Sequence, residues 1–280
     1  PKGVYRWPPH VSSMTRRLMG QMLTFEPGKD LCLLTGPAYH AAPLNLNAVT
    51  ALNAGVGLVM MDKWDAEETL RLIEAHGIVY THFVATMFTR MLRLPESVRS
   101  RYDLSSIKAI IHGAAPCPLH VKQAMIDWLG PVLFEYYAAT EGGATLASSA
   151  DWLARRGTVG RPIEGSHMRV LDSNNDDVPA RTEGTVYVRS APEGGFVYFK
   201  SAEKTASSYH DNYFTMGDHG YLDADGYLFL TGRDAELIIS GGVNIYPQEV
   251  DDVLLQLPAV HDACTIGVPD EEWGESVKAI

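Results

Sequence analysis

From Leu31 to about Tyr137 the chain alternates strand-length apolar runs with helical patterns, and few architectures accept such a string. Leu31–Gly36 is a continuous apolar run of strand length, and Gly57–Met61, Ile78–Phe83, Ile107–His112 and Val132–Tyr136 repeat it. Pro43 sits at a first helical turn and Gly55 at a helix end. Asp65 followed by Glu68 has capping-box spacing and opens a helix through Leu70, Leu72 and Ile73 that Gly77 closes. Helices at Ala85–Leu94 and Leu119–Leu129 complete the series. Strands apolar on both faces, joined by helical crossovers, predict a parallel sheet in an α/β layer architecture.

After about residue 150 the texture changes. Met168–Leu171, Gly184–Arg189, Phe196–Phe199 and Tyr227–Leu230 are short β-type runs, separated by turn sequences at Asn174–Asp177, Glu193–Gly195 and Asp225–Gly226. They predict an antiparallel β subdomain over residues 150–232. Beyond it, Leu237–Ile239 is apolar, Pro247–Leu257 helical, and His261–Val268 strand-like, the opening of a small α+β domain over residues 236–280. A chain of 280 residues fits two domains at roughly 150 residues each.

Charge narrows the partners. The balance of 34 Asp+Glu against 23 Lys+Arg gives −11, which argues against nucleic acid, whose phosphates need a basic face. A small phosphorylated ligand stays open, because a few cations and backbone N–H groups suffice for it. No apolar run approaches the roughly 18 residues of a membrane-spanning helix, and no signal-peptide pattern opens the chain. A cytoplasmic protein is therefore expected, with peripheral membrane contact and homo-oligomerisation left open. Cys32, Cys117 and Cys264 are odd in number, far apart and lack zinc spacing, so each is expected to be a small buried apolar side chain.

Four segments place small or polar residues where a strand should end, which is where open α/β sheets collect ligands. His112–Pro116 is a small-residue loop against which a flat ring can lie, or simply a tight strand-to-helix turn. Glu135–Gly143 sets Thr140 and Glu141 side by side in a glycine-rich loop, suited to phosphate oxygens and a hard cation, or a solvated polar loop. Tyr213–Asp218 ends in an acid after a glycine, suited to ribose hydroxyls or to an ordinary turn. The fourth is the long stretch Thr231–Val250, with Gly232–Arg233–Asp234 and Gly241–Gly242 inside it.

In this order and at these separations, the four segments resemble the core motifs of adenylate-forming enzymes, specifically the acyl- and aryl-CoA synthetases. The resemblance covers essentially the whole chain. It implies the adenylate-forming fold, with a large AMP-binding domain over residues 1–232, a hinge at 233–235 (Asp234 and Ala235 at its centre) and a small mobile domain from 236. Lys2 then matches the phosphate-loop lysine. Gly113, Ala114 and Ala115 match the adenine-contacting loop, and Tyr137 the tyrosine stacking near adenine. Thr140 matches the phosphate-binding threonine and Glu141 the Mg²⁺ carboxylate. Asp218 matches the ribose aspartate, and Arg233 a second contact to the ribose region. His40, Val84, Ala85 and Gly113 are the implied acyl pocket, and Gly241 and Gly242 the implied lining of the pantetheine tunnel. Three positions depart from the pattern: Ala138 stands for a glycine, Met216 for a threonine, and Ala235 for the usual Asp or Lys of the hinge.

The implied chemistry is attack of a carboxylate on the α-phosphate of Mg·ATP, giving acyl-AMP and pyrophosphate, then displacement of AMP by the thiol of coenzyme A. A fatty acid or a bulky, ring-bearing acid is the implied substrate. Delivery to a carrier protein, or a catalytically silent nucleotide-binding piece, are the competing readings. Both chain ends read as cuts in a longer enzyme, and on that reading the chain by itself is expected to have little ligase activity.

Overall fold

The computed structural model describes residues 4–6, 18–20, 22–190, 195–233, 236–257, 259–260, 262–270 and 273–280. Lys2, Asp234 and Ala235 lie outside them. In chain order the elements begin with β1 (Val4–Arg6) and β2 (Leu31–Leu34), then a π-helical turn Pro43–Val49 running into Thr50–Ala54, together α1. β3 (Gly57–Met60), α2 (Ala66–His76), β4 (Ile78–Phe83), α3 (Ala85–Leu92), α4 (Glu96–Arg99), β5 (Ala109–Gly113), α5 (Leu119–Leu129) and β6 (Leu133–Tyr136) follow. β7 (Thr145–Ser148), α6 (Ser149–Ala154), β8 (Thr158–Pro162), β9 (Met168–Leu171) and β10 (Gly184–Arg189) come next. Then stand β11 (Val197–Tyr198), α7 (Ala202–Ser207), β12 (Tyr209–His210), β13 (Tyr213–Leu222) and β14 (Leu228–Arg233). The last group is β15 (Ile238–Ser240), β16 (Val243–Ile245), α8 (Pro247–Leu254), β17 (Thr265–Asp270) and β18 (Gly274–Ala279).

The signals at the helix ends act as the sequence predicts. Asp65 accepts the Glu68 N–H at 2.9 Å, and Gly77 closes α2 at φ 58. Only one arm of the capping box forms, because the Glu68 carboxylate turns to Arg71 in a two-pronged contact at 2.7 Å. A complete box occurs at Ser148 and Asp151, heading α6. Gly55 ends α1 at φ 66.

Among the described residues, twelve strands join in one sheet, ordered β3-β2-β4-β5-β6-β7-β8-β14-β13-β10-β9, with β12 added on β13. The strands from β3 to β6 are parallel; every pairing from β6–β7 onward is antiparallel. The α/β half and the antiparallel half expected from sequence are thus continuous. Helices α2, α3, α5 and α6 cover one face of the parallel half, with Leu70, Ile73, Phe88, Met91, Met125 and Trp152 packed with Leu33, Ile110 and Leu133. On the opposite face α1 packs through Leu46 and Ala51 against Cys32, Tyr80, Ile111 and Tyr136. Alternate residues of β5 serve the two cores, which is why its run is apolar throughout.

Several expectations are corrected. Tyr213–Asp218 is not a loop after a strand: it is the first part of the ten-residue β13. Gly217, at φ 77, lets that strand bulge against β10 between Thr185 and Tyr187 without breaking its pairing. The Phe196–Phe199 run shortens to β11 and pairs with β1 instead of joining the large sheet. The final β strand pair is β17 with β18, and β18 has β15 on its other side. Residues 262–264 are not in a strand and β17 begins at Thr265, while His261 lies outside the described residues. All three cysteines are free; Cys32 is buried as expected, but Cys264 is exposed. No helix among the described residues is long and apolar enough to cross a membrane.

Within the antiparallel half, β8 passes from β7 to β14 at Gly160. Its φ is +96, and a Cβ there would lie 2.1 Å from the Leu146 carbonyl carbon and 2.4 Å from the Ala147 nitrogen. Both obstacles are backbone and cannot swing away. Gly160→Ala is therefore expected to destabilise the protein by about 2–4 kcal/mol, read as a lower urea midpoint. A midpoint within experimental error of the parent would refute the junction's role.

Candidate active site

β5 and β6 end side by side, with Gly113 registered on Tyr136. A Cβ on Gly113 would stand 2.4 Å from the Tyr136 carbonyl oxygen, so only glycine lets the two strand ends approach this closely. Ala114 follows in the left-handed region at φ 69, and Ala114 and Ala115 are exposed. A side-chain-poor surface is thereby left open at the carboxyl end of the sheet.

The chain leaving β6 makes a tight hairpin. Ala139 and Gly142 exchange both backbone hydrogen bonds, at 3.3 and 3.1 Å, with Thr140 and Glu141 at the tip. Gly142 and Gly143 take φ of 133 and 75, which explains the glycine pair. The tip directs its two residues oppositely. Thr140 is exposed, whereas Glu141 is buried and accepts the Tyr198 hydroxyl at 2.7 Å.

Behind this hairpin lies a three-residue contact between the two halves of the sheet. Asp218 of β13 is registered opposite Arg233 of β14, and the Arg233 Nε donates to Asp218 Oδ1. The Tyr137 hydroxyl donates to Asp218 Oδ2 at 2.5 Å. Asp218 is 2% exposed. Burial, reinforced by the Asp218 carboxylate, holds the Tyr137 hydroxyl well above the usual tyrosine range.

These elements enclose a cleft of about 480 Å³ whose walls include His40, Ala114, Thr140, Glu141, Met216 and Arg233. Five of the residues singled out in the sequence thus reach one cavity: His40, Ala114, Thr140, Glu141 and Arg233. Tyr137 and Asp218 stand behind it, joined to it through Arg233. Gly113 and Ala115, on either side of Ala114, do not line it. Others are elsewhere: Val84 caps α3, Ala85 is buried at the start of α3, and neither lines the cleft. Gly241 and Gly242 form the exposed turn between β15 and β16, at φ 57 and 79. The sequence reading missed Tyr198, which lies in an aromatic-rich run with nothing local to mark its reach to Glu141, 57 residues earlier. It also missed Tyr136, whose hydroxyl lies 3.1 Å from His82 Nε2 beside the cleft.

A single buried carboxylate beside an exposed hydroxyl, on the wall of a cavity with room for phosphate, fits Mg²⁺. That ion is held by one or two carboxylates together with phosphate oxygens rather than by an all-protein cage. Glu141 would be the protein ligand.

The sequence matches the AMP-binding enzyme family over residues 1–193, and its C-terminal domain over residues 249–280. The chain belongs to the AMP-binding enzyme family. It is 29% identical over 280 residues to a long-chain-fatty-acid–CoA ligase of Bacillus subtilis, covering 100% of this chain and 50% of that one. With an indoleacetate–CoA ligase of Aromatoleum aromaticum it shares 32% over 253 residues, 90% of this chain and 49% of that one. The fold superposes on o-succinylbenzoate CoA synthetase from Bacillus subtilis, solved with the acyl-adenylate OSB-AMP, with a TM-score of 0.85 and 27% identity. That likeness covers 100% of this chain and 56% of the synthetase, which has also been solved with ATP and magnesium ion. The chain spans about half the length of the curated relatives it matches.

His82, bonded to Tyr136 beside the cleft, is 3% exposed, and burial with His40 nearby pushes it down to about 4. An unfolded histidine titrates near 6.5, so between about pH 6.5 and 4 the unfolded chain takes up a proton that the folded one refuses. Stability from this group is complete above pH 6.5, falls as pH drops toward 4, and falls no further below that. Urea unfolding should show a loss of up to about 3 kcal/mol across this window, smaller in His82→Asn. An His82 ring resonance titrating near 6.5 in the folded protein would disprove it.

Proposed function

We propose that the chain carries the nucleotide-binding and carboxylate-activating portion of an acyl- or aryl-CoA ligase. The observation that carries this reading is the meeting of Ala114, Thr140, Glu141 and Arg233 on one cleft, with Asp218 and Tyr137 bonded behind Arg233. Its relatives' names, which are CoA ligases for fatty and aromatic acids, support the same class. Residues 1–232 act as the large domain, 233–235 as the hinge, and the separate sheet β16-β15-β18-β17 with α8 as the start of the small domain.

In this reading adenine lies on Gly113–Ala115 beside Tyr137, which needs a surface with no projecting side chains. Asp218 accepts hydrogen bonds from the ribose hydroxyls, and Arg233, already fixed on Asp218, flanks the sugar. Thr140 donates to phosphate oxygens, and Lys2 is the cation assigned to neutralise their charge. Mg²⁺, when bound, offsets negative charge on the phosphates; Glu141 is held ready for it by Tyr198. The carboxylic acid enters beside His40, with Val84 and Ala85 behind, and its carboxylate attacks the α-phosphate, expelling pyrophosphate. The protein supplies positioning and charge neutralisation, not a nucleophile. Coenzyme A then displaces AMP, with Gly241 and Gly242 lining the thiol's approach.

Asp218→Asn keeps the shape of the side chain but removes its charge. AMP affinity measured by calorimetry should fall roughly ten- to a hundred-fold, the worth of about 1.5–3 kcal/mol for a hydrogen bond to a charged group. An unchanged affinity in a folded variant would sink the ribose assignment.

Glu141→Gln tests the metal role. Parent protein should bind ATP more tightly with Mg²⁺ than without; the variant should lose about tenfold of that gain while AMP binding without metal stays within about twofold. Equal losses with and without Mg²⁺ would make Glu141 structural.

A further inference from the structure

Between the helix that follows one cleft loop and the strand that precedes the other lies a charge pair that the site itself does not use. Lys122 Nζ is 2.5 Å from Glu135 Oε2, with the side chains 1% and 8% exposed. Lys122 closes the first turn of α5, the helix that Ala114–Pro118 leads into. Glu135 belongs to β6, two residues before Tyr137. His112, registered on Glu135 across β5 and β6, completes the cluster. Its imidazole is fully buried edge-on against Phe88 at 5.0 Å, and neither ring nitrogen has a hydrogen-bond partner. The Trp152 ring lies 5.1 Å from the Lys122 ammonium. Burial holds the Glu135 carboxyl above its usual range, with Lys122 opposing, and burial and the Lys122 charge hold His112 well below its own.

Stability alone does not account for such a pair. Taking both charges out of water costs more than their attraction returns in many cores, and apolar side chains of similar volume are often as stabilising or better. What the pair has and apolar packing lacks is one preferred length and direction, because a short charge-assisted hydrogen bond fixes both ends. Here the two ends are the helix that follows the Gly113–Ala115 loop and the strand that precedes the Tyr137–Gly143 loop. His112 lies beside Glu135 in the sheet, but neither of its ring nitrogens takes Lys122, whose ammonium is held by Glu135.

We propose that Lys122 and Glu135 are positioning residues for the cleft, their buried ion pair fixing the Gly113–Pro118 loop against the Tyr137–Gly143 loop. This rests on the reading of the cleft as the nucleotide site. Neither residue touches the cleft; both act through the loops they anchor.

The test separates positioning from stability. Lys122→Met alone strands the Glu135 charge and should lower the melting temperature. Lys122→Met with Glu135→Leu replaces the pair by apolar groups and should melt at or above the parent temperature. In that double variant, amide hydrogen exchange across residues 113–118 and 137–143 should still be about tenfold faster, and AMP affinity about tenfold weaker. Glu135→Gln, which keeps the shape and an acceptor for Lys122, is the second variant and should show the same two changes in smaller measure. A double variant, or Glu135→Gln if the double variant does not fold, that keeps the parent's exchange rates in both loops overturns the inference. If the parent chain itself binds no AMP, that result counts against the proposed function, and the exchange rates alone decide this inference.

Discussion

Asp218 is the residue through which the two halves of the sheet act as one site. Its carboxylate is taken from water almost entirely, and an unpaired carboxylate in that position would be prohibitively costly. It therefore needs donors, and it draws them from opposite sides: Tyr137 at the end of the parallel strands and Arg233 on the neighbouring antiparallel strand. Neither half of the sheet can satisfy it alone. The demand of one buried charge thus brings the hairpin at Thr140–Glu141 and the β13–β14 pair to the same cleft.

The same logic recurs at Glu141. A buried carboxylate on a hairpin tip would be free to turn outward, but the Tyr198 hydroxyl holds it in. Tyr198 in turn sits on β11, whose backbone pairs with Val4 of β1. A chain of contacts therefore runs from the strand just after Lys2 to the carboxylate proposed for the metal. Small residues do complementary work. Gly113 allows two strand ends to touch, and the alanines beyond it leave the surface bare.

Two kinds of information were readable from the chain to different depths. The parallel half was legible because its strands are buried on both faces and so read as unbroken apolar runs, and because Asp65, Gly55 and Gly77 mark helix ends chemically. The antiparallel half was less so. β7 and β8 are short, surround a six-residue helix, and carry no alternation long enough to register as strands. The start of β13 reads as a turn in the sequence because a glycine in mid-strand looks like one until its pairing partner is known.

By itself the sequence determined the class of fold, the order of the elements, the family, and which short segments carry polar groups at strand ends. Those features depend on periodicity, caps and motif order, all local along the chain. Tertiary structure alone decided that Thr140 points outward while Glu141 points in. It also decided that Tyr198 reaches Glu141 across 57 residues, that Arg233 and Tyr137 share Asp218, and that Lys122 meets Glu135 in the core. Each of those contacts depends on register and packing, and no local pattern encodes the distance between residues on different strands.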